Sequence, residues 1–120
     1  MVNKNQEPRR NPADEVPLSD VQRYFLGALI QESPQHGYVL IKRVRRLSEG
    51  VIDPGMGNTY TALRRWVDRG LIEVQSTTER KKRESAMYAI TDYGKEAFDE
   101  DLKFVNRTAI ILSKIKRDNP

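Results

Sequence analysis

The sequence predicts a mostly α-helical fold with one small β-hairpin and a long C-terminal helix. Three successive segments space their apolar residues at helical intervals. The pattern then switches to alternation over two short segments, and it returns to helical spacing for the rest of the chain.

Residues 1–17, "MVNKNQEPRRNPADEVP", hold three prolines, no aromatic residue and no periodicity. They predict a disordered N-terminal tail, in which Arg9 and Arg10 are either idle or a minor-groove arm. Ser19 opens "SDVQ", a capping box in which Gln22 reaches back to the cap. Val21, Tyr24, Phe25, Ala28 and Leu29 follow as a helical stripe, and Pro34 ends it by disfavouring helical geometry at Ser33. A second helix is predicted over about 36–48. Tyr38, Ile41, Val44 and Leu47 form its apolar face with Val39 and Leu40 beside them, and Lys42, Arg43, Arg45 and Arg46 fill the rest. Gly50 stops it. "DPGMGN" predicts a turn without regular structure. A third helix is expected over about 58–69, with Tyr60, Leu63, Trp66 and Val67 inward and Gly70 as its C-cap. The phase of Trp66 makes it a core residue rather than a ligand platform.

"LIEVQST" and "SAMYAI" then alternate through Ile72/Val74 and Ala86/Tyr88/Ile90, which predicts a two-stranded hairpin. Its tip carries Arg80, Lys81, Lys82 and Arg83 in an unbroken row. Thr91 and Asp92 cap a last helix that runs to about residue 116. Phe98, Leu102, Val105, Ala109 and Leu112 make a heptad seam along it, and Phe104, Ile110, Ile111 and Ile115 widen the apolar surface. Helix, helix, helix, hairpin, long helix is the order of a winged helix-turn-helix. The predicted division is a tail over 1–17, a winged helix-turn-helix over 18–90 and a dimerisation helix over 91–117. A helix with apolar residues on several faces needs a second chain to cover it, so a homodimer is expected.

Length allows one domain with one modest core. No apolar run approaches the ~18 residues of a membrane span, and no signal-peptide core opens the chain, so a cytoplasmic protein away from membranes is expected. With no cysteine and a single histidine, neither a disulfide framework nor a thiolate or histidine metal site is available. His36 reads as a capping or packing residue. No glycine-rich phosphate loop, nucleophile with a base, or useful carboxylate cluster is present, so enzyme activity and a cofactor are not expected. The "DED" at 99–101 reads as a solvated helix face.

Charge is unevenly placed. Residues 36–83 carry 11 Lys and Arg against 5 Asp and Glu, whereas residues 1–35 carry 4 against 5. The excess fits one face that meets a polyanion. Adjacent like charges gain nothing from a solvated loop. They gain from a phosphate backbone through charge pairing and counterion release, so the four-cation tip is assigned to a phosphate strand or a minor groove.

"FLGALIQESPQHGYVLIKRV" resembles the first two helices of PadR-type transcriptional regulators, including the "HGY" that opens the second. "GNTYTALRRWVDRGLIE" resembles their recognition-helix segment, and "MYAITDYGKEAF" their exit from the wing. The resemblance spans about residues 23–100. Thr61, Trp66 and Val67 depart from it, standing where proline, leucine and a charge are usual, and "MGNT" replaces the usual approach to the third helix. The resemblance implies a homodimeric DNA-binding repressor that pairs through its C-terminal helix with help from the first. It also implies sensitivity to small aromatic or hydrophobic compounds, often at the dimer interface.

Base contacts in a helix-turn-helix come mainly from the N-terminal part of the recognition helix. Asn58, Thr59, Tyr60 and Thr61 occupy it, with Arg64 and Arg65 a turn later. Asparagine pairs with adenine and arginine with guanine. Tyr60 and Tyr38 are expected to pack their rings while their hydroxyls reach phosphates, and Lys42 and Arg45 are either backbone contacts or a solvated face. Phe98, Leu102, Val105, Ala109, Ile111, Leu112 and Ile115 are the expected dimer interface. The function these residues support is a regulator of double-stranded DNA. It would be a dimeric repressor occluding a promoter at a pseudo-palindromic operator, released by a small hydrophobic or aromatic effector. Two alternatives are a ligand-independent autorepressor and a winged-helix module for protein or RNA.

Overall fold

The computed structural model describes residues 10–75 and 86–118. A 3-10 turn over Pro12–Glu15 leads into α1 (Asp20–Gln31), β1 (Gln35–His36), α2 (Gly37–Leu47), α3 (Met56–Asp68), β2 (Ile72–Gln75), β3 (Met87–Ile90) and α4 (Asp92–Asp118). This is the winged helix-turn-helix with a long last helix.

Each helix starts and stops for a local reason. Ser19 Oγ accepts from the Gln22 N–H at 3.1 Å, and the Gln22 side chain accepts from the Ser19 N–H at 3.3 Å, which closes the expected capping box. Phe25, Leu26, Ala28 and Leu29 are the buried face of α1. On α2 the buried residues are Gly37, Leu40, Ile41 and Val44, while Tyr38 and Leu47 are exposed. A repeat of three residues falls about 60° short of a full turn, so the 38–41–44–47 series winds halfway round the helix. Only its middle faces the core. Helix α3 begins at Met56, two residues before the expected start, when the Thr59 N–H bonds the Gly55 carbonyl at 3.0 Å. Gly57 in that first turn costs about 1 kcal/mol relative to alanine. Burial of Thr59, Leu63 and Trp66 outweighs it. At the other end Gly70 takes φ +82°, and the Leu71 N–H returns to the Trp66 carbonyl at 3.0 Å, a left-handed C-terminal cap.

The strands form one antiparallel sheet in the order β1-β3-β2. Ile72 pairs with Ile90 and Val74 with Tyr88, as the hairpin pattern requires, but Gln35 and His36 add a third strand against Tyr88 and Met87. Two residues are too few to show an alternation. As the central strand, β3 buries Tyr88, Ala89 and Ile90 in succession. The core gathers Phe25, Leu26, Leu29, Leu40, Val44, Leu63, Leu71 and Ile72, with the Trp66 ring 5.5 Å from that of Phe25.

Helix α4 leaves the sheet through a tight joint. The Thr91 hydroxyl donates to the Gly70 carbonyl at 2.6 Å and accepts from the Gly94 N–H at 2.9 Å. A Cβ on Gly94 would stand 2.1 Å from the Leu71 carbonyl oxygen, so only glycine fits there. The face of α4 turned to its own domain holds Gly94, Ala97 and Asp101 rather than the seam through Phe98 and Leu102. Phe98 is half-buried against Gly27 and Leu102 is exposed. Asp101, read from the sequence as solvated, is 0% exposed. It accepts from the Leu18 N–H at 2.9 Å and is paired with the Arg23 guanidinium. Each hydrogen bond it accepts comes from a donor of the fold, which offsets the cost of burying a polar side chain.

The expected disordered tail is corrected over residues 10–17. Asn11 caps the 3-10 turn by accepting from the Ala13 N–H at 3.0 Å, and Glu15 and Leu18 pin the segment to the body. Residues 1–9 lie outside the described residues. No described helix is long and apolar enough to cross a membrane.

Candidate nucleic-acid interface

Burial of Thr59, Leu63 and Trp66 orients α3, and the opposite face is left to solvent. Asn58, Thr61 and Arg65, spaced i, i+3, i+7, form one exposed stripe there, and Arg64 borders it. The Thr61 hydroxyl bonds back to the Gly57 carbonyl at 3.2 Å, holding the side chain close to the helix surface. Helix α2 adds exposed Tyr38 and Lys42, with the Lys42 ammonium 5.7 Å above the Tyr38 ring. The His36 and Tyr38 rings stack at 6.2 Å.

Ion pairing sorts the basic residues. Arg43 pairs with Glu32 at 2.8 Å, Arg45 with Asp53 at 2.7 Å, and Arg69 with Glu15 at 2.8 Å. Among the described residues, Lys42, Arg46, Arg64 and Arg65 form no ion pair. Their side chains have no carboxylate neighbour within ion-pair distance among the described residues. Arg46 was not singled out by the sequence, because four cations within one helix do not reveal which of them find carboxylates.

Two expected DNA contacts are corrected. Thr59 is 4% exposed and faces the core, so its hydroxyl is withdrawn from any ligand on α3. The Tyr60 hydroxyl is buried beneath the start of α2: a Cβ on Gly37 would stand 2.9 Å from it and 2.7 Å from the ring. Tyr60 therefore spaces α2 from α3, with its hydroxyl turned away from solvent. The glycine of "HGY" is the trace of this contact in the sequence. Arg80, Lys81, Lys82 and Arg83 lie outside the described residues. Strands β2 and β3, which bound that segment, stand beside α3, and Tyr60, Arg64, Val67, Val74 and Tyr88 line a cavity of about 210 Å³ between them.

A larger cleft of about 510 Å³ lies on the other flank of α3, lined by Asp14, Glu15, Ser19, Val21, Gln22, Ala62, Arg65, Trp66 and Arg69. Its rim includes a cluster that sequence spacing does not reveal. Glu15, with its side chain 3% exposed, accepts two bonds from Arg69 at 2.8 and 2.9 Å and one from the Tyr93 hydroxyl at 2.6 Å. The Arg69 bonds hold the Glu15 carboxyl below the ordinary carboxylate value, against the effect of burial and with help from Tyr93. Burial, and then the bond to Glu15, push the Tyr93 hydroxyl up to about 12. Residues 54 and 78 positions apart meet here. Among the described residues, no group of three potential ligands is placed to hold a metal ion.

The expected interface on α4 divides. Phe98 and Val105 are half-buried in their own domain. Ile110, Ile111, Leu112 and Ile115 are between 48 and 61% exposed. Ala97, Asp101, Val105, Thr108, Leu112 and Ile115 follow at steps of four and three, so the stripe that begins buried continues past the point where the domain ends.

Residues 26–100 match the family model described as "Transcriptional regulator PadR-like family". No curated protein matches the chain. A transcriptional regulator from Clostridium thermocellum superposes with a TM-score of 0.66 at 20% identity, covering 78% of this chain and 87% of that one. RosR of H. salinarum superposes at 0.63 with 23% identity, covering 88% and 96%. Bacillus subtilis PadR, solved in complex with operator DNA, superposes at 0.60 with 22% identity, covering 81% of this chain and 61% of that one. At these identities the likeness is one of fold.

Proposed function

The chain belongs to the PadR-like family of transcriptional regulators, and from that premise we propose that it is a sequence-specific, homodimeric repressor of double-stranded DNA. The family is one of regulators and not of enzymes. The observation that carries the proposal is the exposed stripe Asn58, Thr61 and Arg65, flanked by Arg64 and by cations without carboxylate partners. Placed in a major groove, this stripe offers asparagine and arginine to base edges. Tyr38, Lys42 and the Arg80–Arg83 row serve the phosphates on either side. Two copies joined through the exposed apolar half of α4 read a pseudo-palindromic operator and occlude a promoter. A small hydrophobic or aromatic effector, seated between the α4 helices and the partner's first helix, changes the spacing of the two α3 helices and releases the DNA. The site of action is the cytoplasm.

Selection of bound fragments from random duplex DNA tests this reading, with each selected fragment then titrated against salt. The expected outcome is a two-fold motif bound far more tightly than unselected DNA, with affinity falling steeply as salt rises. Equal affinity for selected and unselected DNA would remove sequence specificity. Tighter binding to RNA than to duplex would move the protein to another class.

A further inference from the structure

We propose that residues 10–18 are a splint that fixes the angle between α3 and α4, with Glu15 as its positioning residue. The segment lies ahead of the residues that match the family, which begin at 26. It touches both helices at their joint. The Glu15 carboxylate takes a bidentate fork from Arg69, just after α3, and a bond from the Tyr93 hydroxyl in the first turn of α4. Arg10 donates to the Arg69 carbonyl, which adds a second tie at the end of α3. Farther along, Ala13 and Val16 face Phe104 and Arg107 of α4 across a cavity of about 310 Å³. The Leu18 N–H then reaches Asp101.

The chemistry of the contact points to orientation rather than adhesion. An apolar side chain would hold a strap down as well as a buried carboxylate, without the desolvation penalty. A bidentate guanidinium–carboxylate pair instead fixes the plane and direction of approach. Here one carboxylate is shared by the end of α3 and the start of α4, so rotation of either helix breaks a bond. Across the joint itself, Thr91 bonds the Gly70 and Leu71 carbonyls through its hydroxyl and the Leu71 carbonyl through its N–H. These bonds meet at one point of the chain, and the Glu15 carboxylate adds a tie set off from it.

The need for a fixed angle rests on the proposed reading of a dimer on a two-fold site. If α4 joins the copies and α3 reads the DNA, the α3–α4 angle sets the distance between the two reading helices. Simultaneous engagement of both half-sites then depends on it, whereas engagement of one half-site does not.

The test uses the full chain and DNA carrying either two half-sites or one, with the spacing between half-sites varied by one and two base pairs. For Glu15→Gln, two-half-site affinity is expected to fall about tenfold. Single half-site affinity stays unchanged, the dimer mass is kept, and discrimination between spacings weakens. Glu96→Gln, which removes an exposed carboxylate of α4 outside the splint, controls for charge. Equal losses on both DNAs, or no loss on either, would overturn the splint. If Glu15→Gln unfolds the protein, Tyr93→Phe removes only the α4 tie. It should still weaken spacing discrimination, and an unaltered spacing profile would overturn the proposal. If the unmodified protein gains nothing from a second half-site, the dimeric reading itself fails and the splint with it. If the unmodified protein gains and the variants gain equally, the splint alone fails.

Discussion

Gly37 decides how closely α2 approaches α3. In an open helix, alanine in place of glycine gains about 1 kcal/mol. At Gly37 the added methyl would stand 2.7 Å from the Tyr60 ring. Gly37→Ala is therefore expected to lower stability by about 1–3 kcal/mol in spite of its better propensity. Urea unfolding measures it, and a gain would show that the ring has room to move. The second residue-scale expectation concerns acid and alkali. Glu15 is held below its ordinary value by Arg69, so its contribution is complete at neutral pH and disappears as pH falls through the folded value. Tyr93 is raised to about 12, whereas an unfolded tyrosine ionises near ~10. Between those values the unfolded chain gives up a proton that the folded protein keeps, so stability falls as pH rises. The urea midpoint should drop on both sides of neutrality. Glu15→Gln should flatten the acid side and Tyr93→Phe the alkaline side; unaltered profiles would mean that the cluster carries no coupling.

At the scale of elements, α4 is the part with an unfinished contact. Its 27 residues reach about 40 Å, and its apolar stripe outlasts the domain that buries its first turns. Burial of each leucine or isoleucine is worth about 1.5–3 kcal/mol. Ile111→Asp with Leu112→Asp should give monomers in sedimentation and abolish two-half-site binding, although neither residue is placed on DNA. A dimer that persists would put the interface elsewhere. Helix α1 was legible because both halves of its capping box stand within four residues. The apolar period of α4 was legible, but the face it turns to its own domain, Gly94, Ala97 and Asp101, was not. Asp101 takes the inward position because Arg23 and Leu18, far away in sequence, supply donors to it. The splint over residues 10–18 was illegible for the same reason: its partners Arg69 and Tyr93 are remote, and its two prolines without periodicity resemble disorder. Thr59 turns to the core beside Leu63 and Trp66, and the Tyr60 hydroxyl lies under α2 because Gly37 admits the ring. The outward stripe Asn58, Thr61 and Arg65 needed only the helical period and an apolar opposite face.

For the whole molecule, the division of cations into paired and unpaired predicts two kinds of variant. Asn58→Ala or Arg65→Ala should cost about 1–3 kcal/mol on the selected operator and little on random duplex. Equal losses on both would make these residues phosphate clamps. Lys81→Ala with Lys82→Ala should weaken binding to every sequence alike and lower the salt slope by about one to two. An unchanged slope would remove that row from the phosphate contact. The molecule also carries its own optical reporter. The chain has a single tryptophan, and Trp66 stands on α3, 5% exposed, against Phe25 and beside the cleft that Asp14 and Glu15 line. An indole in that setting emits at shorter wavelength than one in water. Its emission therefore comes from one known place, and a shift on adding operator, on lifting the strap or on unfolding can be followed without attaching a dye.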